Sequence, residues 1–245
     1  MVKGVGMQSV GRRSWWLGMG ILLCACHSAF AGSATLTLTS AGNNIMGNVY
    51  VNPYTATVNG VSTTIICDDY ADDTYLNETW KANTYTFADL GTTTPNPDLR
   101  WQSSAGGTAT QLQAYSAAAA LTLQLLSATN NTIKGELSYA IWGIFDSQAI
   151  TDLQKFNSGY ATAAQGYLNA ALGATYTAGQ FSNFTIYTPD GSTPSCSGGG
   201  CPSAPPQEMF SVAVPEPPLW ALLVVDLAAL FGLVVFLRRR LARSC

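Results

Sequence analysis

Hydrophobic and polar positions change period several times along the chain, and each change marks an element. Ala34-Thr35-Leu36-Thr37-Leu38-Thr39 alternates strictly, as does Thr55-Ala56-Thr57-Val58, and both are rich in β-branched residues. A period of two with such residues predicts half-buried antiparallel strands. Asn59-Gly60 stands between Thr55–Val58 and Val61–Ile66, and both residue types tolerate positive φ, so a tight hairpin is predicted there. A second strand pair is predicted over Thr79–Lys81 and Thr84–Phe87. Beyond Arg100 the period lengthens. Ala109–Ala128 lacks Gly and Pro and is rich in Ala, Leu and Gln, which predicts a helix. Glu136–Asp146 places Leu137, Ile141, Ile144 and Phe145 on one helical face. Gly159–Leu172 reads as a third helix and Phe181–Tyr187 as a strand. Residues 188–213 are rich in Pro, Gly and Ser and read as a linker. The fold class is therefore α+β: an antiparallel β-sandwich or barrel-like N-terminal half with a helical segment, at residues 32–187.

Two apolar runs break this pattern at the ends. Residues 1–31 join a basic start (Lys3, Arg12, Arg13) to the short apolar stretch Trp15–Cys26 and to Ala29-Phe30-Ala31. This reads as an export leader cleaved after Ala31. A twin-arginine variant at Arg12-Arg13 and a lipid on Cys26 are the lesser alternatives. Pro218–Leu237 is a 20-residue, mostly apolar run followed by Arg238-Arg239-Arg240. That length suits one transmembrane helix, with the arginines on the cytoplasmic side and the body facing outward. Asp226 inside it is expected to be protonated or to snorkel.

Charge sharpens the picture. The whole chain carries a net −3, yet its basic residues crowd the two ends, and residues 32–213 carry four Lys or Arg against twelve Asp or Glu. So acidic a body excludes nucleic acid as a partner. The single histidine, His27, lies in the leader, so histidine-based catalysis is excluded from the body. A nucleophile elbow, a phosphate loop and a His-containing metal cluster are all missing from the sequence. The expectation is a protein that is not an enzyme and carries no cofactor, although a hydrolase working with Asp or Glu alone stays conceivable.

Immediately before the apolar run stands Val214-Pro215-Glu216-Pro217. Pro-Glu-Pro, one apolar span and an arginine cluster, in that order over residues 214–245, resemble the PEP-CTERM sorting signal of exported bacterial proteins. The resemblance implies recognition at Val214, Pro215, Glu216 and Pro217 by an exosortase-type membrane protease, with Arg238, Arg239 and Arg240 closing the signal. It also implies a cell-envelope or extracellular place, with exopolysaccharide and biofilm as associates. A plain stop-transfer anchor is the alternative.

In the body, Ile65-Ile66-Cys67-Asp68-Asp69 and Tyr139-Ala140-Ile141-Trp142-Gly143-Ile144-Phe145 are similar to thioester adhesin domains of surface proteins. That resemblance implies that Cys67 stands at the thioester cysteine. The glutamine place, four residues before Trp142, is Ser138, whose hydroxyl has no acyl carbon to offer. A surface adhesin or binding module lacking the covalent bond is the alternative function, and Cys67 is expected near Ser138 as a free thiol.

Three other groups invite chemistry. Cys196 and Cys201 flank a Gly-rich loop that would close a local disulfide in an oxidising compartment. Asp68, Asp69, Asp72 and Asp73 put four carboxylates in six residues: a weak calcium site, or a solvated acidic turn. Tyr50, Tyr54, Trp80, Trp101 and Trp142 would serve as a carbohydrate platform or, more simply, as core.

Overall fold

The computed structural model describes residues 32–90, 95–101, 109–177, 179–196 and 205–213. The strands, in chain order, are β1 (Gly32–Ser40), β2 (Ile45–Met46), β3 (Val49–Tyr50), β4 (Tyr54–Val58), β5 (Val61–Cys67), β6 (Glu78–Tyr85), β7 (Phe184–Pro189), β8 (Ser195–Cys196) and β9 (Met209–Val212). Between β6 and β7 run the helices α1 (Gln111–Ser127), α2 (Asn131–Phe145), α3 (Gln148–Phe156) and α4 (Ser158–Gly173).

The main sheet has the order β1-β4-β5-β9-β7-β6-β8, and β1 also pairs with β6. That second pairing closes six antiparallel strands into a barrel, with β8 extending the ladder beside one end of β6. Closure leaves no open edge between these strands. The β4–β5 hairpin turns as the sequence predicts, with Asn59 at φ 50° and Gly60 at φ 83°. β2 and β3 form a separate small hairpin, here called the flap. Its tip, Gly47-Asn48, has positive φ at both residues, and Tyr139 Oη donates to the Met46 carbonyl at 3.2 Å.

Both faces of β5 are covered. Ile65 and Cys67 join a core with Leu36, Trp80 and Met209. Ile66, between them, joins a second core with Ile186, Phe210, Leu121 and Ile141. The helices are capped where the sequence offers short polar side chains: Thr110 accepts from Gln113 N, Asn130 from Thr132 N, and Asn157 from Gly159 N and Tyr160 N. α2 threads between its neighbours because it carries glycine at the crossings. An added Cβ on Gly143 would lie 2.7 Å from Leu168 Cδ1 and 2.9 Å from Ile150 Cγ1.

Several expectations need correction. The predicted strand pair at 79–87 is one strand, β6, because Ala82-Asn83 continues the alternation instead of turning. α2 begins at Asn131, ahead of Glu136, and α3 was not foreseen. The barrel does not belong to the N-terminal half alone, since β7 and β9 come from the other side of the helices. Most consequentially, 188–213 is not a linker throughout. Thr188 and Pro189 end β7, β8 follows, and β9 lies between β5 and β7. Four residues, Met209–Val212, are too short a run for their alternation to stand out beside Pro205-Pro206. The leader 1–31, the sorting segment 214–245 and its apolar run 218–237 lie outside the described residues. Among those described, no helix is long and apolar enough to cross a membrane.

Candidate functional site: the Cys67 cradle and the cleft above it

β5 ends at Cys67, and the ladder that β4 supplied stops just before it. Asn52, where the next partner would stand, substitutes with its side chain: Nδ2 donates to the Cys67 carbonyl at 2.9 Å, and the Cys67 N–H donates to Oδ1 at 2.7 Å. From α2, Trp142 Nε1 donates to the same carbonyl at 3.0 Å. Asn52 and Cys67 are wholly buried, and Trp142 almost so. The thiol donates to the Asp69 carbonyl at 2.9 Å. Burial pushes the thiol well up, and the nearby Asp69 and Asp68 carboxyls add to the push. Cys67 is therefore a protonated, enclosed thiol, the opposite of an activated nucleophile.

Ser138 is buried one turn from Trp142 on α2, but its hydroxyl donates to the Lys134 carbonyl at 2.8 Å, within its own helix. The residue of α2 that reaches the Cys67 backbone is Trp142. A glutamine is nevertheless present: Gln207, just before β9, donates from Nε2 to the Asp69 carbonyl at 2.8 Å. The Cys67 thiol and the Gln207 carboxamide thus converge on one oxygen. Its position in a stretch read as a linker gave no signal of this.

The four aspartates separate. Asp68 turns inward toward Glu208 and is fully buried. Its carboxyl oxygens have no donor among the described residues, and burial beside Glu208 pushes it well above the usual carboxylate range. Asp68 thus holds its proton. Glu208, itself buried, accepts from Tyr115 Oη at 2.5 Å, from the Arg100 N–H at 3.1 Å and from the Thr188 hydroxyl. Asp69 pairs with Arg100 at 3.1 Å and accepts from the N–H groups of Ala71 and Asp72; Arg100 also reaches Asp72 at 3.1 Å. Burial nonetheless lifts Asp69 to about 7, against the pull of Arg100. Asp73 is exposed. The run is not simply a solvated turn, and while Asp69 and Asp72 share Arg100, Asp68 is turned away into the interior. Among the described residues no group of three or more His, Cys, Asp or Glu is placed to hold a metal ion.

Above the cradle opens a cleft of about 260 Å³ between the flap and the loop after β5, lined by Tyr50, Tyr54, Tyr70, Trp142, Asp73 and Gln207 among others. Of the expected aromatic platform, Trp80 and Trp101 are buried and do not line it, whereas Tyr50, Tyr54 and Trp142 do. Cys196 is disulfide-bonded, and Cys201, its expected partner, lies outside the described residues.

No family model matches this chain, and no curated protein does. Among solved structures, the N-terminal thioester domain of a surface protein from Clostridium perfringens is similar at a TM-score of 0.40 and 11% identity, covering 74% of this chain and 98% of that one. A likeness of that size assigns nothing to this chain.

Proposed function

We propose that this is an exported, non-enzymatic protein of the cell envelope or extracellular matrix, sorted through its tail by an exosortase-type protease and associated with exopolysaccharide. The observation that carries the reading is the order Val214-Pro215-Glu216-Pro217, a 20-residue apolar run, then Arg238-Arg239-Arg240. Prolines disfavour continuation of a helix, which suits a motif read by a protease beside an apolar span. Support for a non-enzymatic body comes from the cradle, whose reactive groups are turned inward: Cys67 onto the Asp69 carbonyl, Ser138 onto its own helix, and Asp68 and Glu208 into the buried interior. Glu216→Ala in a host that has the sorting protease should leave unprocessed, membrane-held precursor. Mature protein that still carries Arg243 in the native host would sink the sorting reading and leave a plain anchor.

A second reading, a surface adhesin or binding module of thioester-domain ancestry without its bond, is favoured by one observation: Cys67 and Trp142 meet through the Cys67 carbonyl. The intact mass of the purified chain tests it. The expected mass has no missing ammonia, and methylamine adds nothing. A deficit of one ammonia would mean that the Cys67 sulfur has displaced the amide nitrogen of a glutamine, with Gln207, which shares the Asp69 carbonyl with the thiol, as the candidate, and the non-covalent reading would fall.

A further inference from the structure

The cleft above the cradle has an uneven hydrogen-bonding inventory. Four of the donors along its walls are spent inside the protein. Tyr54 Oη donates to the Tyr50 carbonyl at 2.7 Å, Tyr70 Oη to Asp152 at 3.3 Å, Trp142 Nε1 to the Cys67 carbonyl and Gln207 Nε2 to the Asp69 carbonyl. Acceptors remain. With its nitrogen engaged, Gln207 keeps the carboxamide oxygen, and Asp73 has no ion pair among the described residues. The lining contains no Lys, Arg or His. Arg100 is held by Asp69 and Asp72, and Lys155 by Asp152.

Around these acceptors stand four aromatic side chains. Tyr70 packs against Trp142 with ring centroids 5.5 Å apart, Tyr54 and Trp142 are nearly buried, and Tyr50 is half exposed on the flap. A neutral sugar wants donors and acceptors in matched supply and an open ring face to stack on. Here the indole and carboxamide N–H groups are engaged, the unpaired charge in the lining is the negative one of Asp73, and the tryptophan is only 2% exposed. An ammonium group has the complementary chemistry: three donors, no acceptor, and attraction to aromatic faces. The volume, below that of ordinary drug-sized sites, admits one small head group.

We propose that the cleft between the flap and the 69–74 loop is a binding site for a small organic ammonium, with Asp73 and Gln207 Oε1 accepting its hydrogens and Tyr50, Tyr54 and Tyr70 around the charge. The proposal stands independently of the sorting reading. An ammonium of this size is presented by an amino sugar or by an alkylamine, and the experiment separates the two.

Titration calorimetry on the full-length chain would use four probes: glucosamine, glucose, n-butylammonium and n-butanol. The expected result is binding of glucosamine, of n-butylammonium, or of both, with the neutral partner of each binding at least tenfold more weakly, the scale of a lost charge-assisted hydrogen bond. Glucosamine alone identifies the amino sugar as the source, and n-butylammonium alone identifies the alkylamine. Asp73→Asn, at an exposed position that the fold does not depend on, should weaken the bound probe by about tenfold, and Asp73→Lys should abolish binding. Absence of binding by both ammonium probes, equal binding of charged and neutral partners, or unchanged affinity in both Asp73 variants would each overturn the proposal.

Discussion

At the end of β5, Asn52 takes over from a strand that has run out, and its two hydrogen bonds hold the Cys67 backbone where Trp142 can reach it. Asn52→Ala would leave the buried Cys67 N–H without its acceptor and should cost about 1–3 kcal/mol, read as a lower urea midpoint at unchanged slope. A midpoint equal to that of the parent would show that the side chain is dispensable. Asp68 carries a pH dependence of definite sign. Its folded-state carboxyl is raised by burial and by Glu208, so its contribution to stability is whole below the unfolded value near ~4 and is lost as the pH rises through the raised one. Asp69 acts in the same sense, with a window from about 4 up to about 7. The chain should therefore resist urea better near pH ~5 than near pH ~8, and Asp68→Asn should narrow the difference. A wider difference in the variant would contradict the assignment of Asp68 as the protonated partner. Little of this was legible in the sequence. A run of aspartates looks alike whether it faces water or a buried glutamate, because the partner is distant along the chain.

Elements were read best where a local rule decides them. Asn59-Gly60 makes its turn because positive φ costs least at those residue types, and α1 forms where breakers are absent. The start of α2 was missed because Asn130, its cap, stands beside Asn131 and Thr132, polar residues that resemble a loop. Glycines within the helices have opposite roles that only packing reveals. Gly143→Ala drives a methyl group toward Ile150 and Leu168 and should destabilise by about 1–3 kcal/mol. Gly166→Ala on α4 meets nothing within 4 Å and should stabilise by about 0.5–1 kcal/mol through helix propensity. Thermal melts of the two variants should move in opposite directions; the same direction for both would contradict this packing at Gly143.

At the scale of the molecule, closure depends on β9. It pairs with β5 on one side (Cys67↔Met209) and with β7 on the other (Phe184↔Val212), so its loss would open the barrel and expose the carboxyl pair at once. Ser211→Pro removes a ladder donor from an interior strand and should cost about 3 kcal/mol or more, with Cys67 labelling by a thiol reagent rising in step with global unfolding. Labelling at an unchanged slow rate would mean that β9 does not hold the barrel shut. The alternating strands, the hairpin, three of the four helices and the acidic body were legible in the sequence, because each depends on period, turn chemistry or charge within a few residues. That Glu208 and Gln207, in a stretch rich in proline and glycine, stand beside Asp68 and Asp69 emerges only from the folded arrangement. Strand pairing across the helical insertion depends on which buried surfaces fit together, and local periodicity does not record that choice.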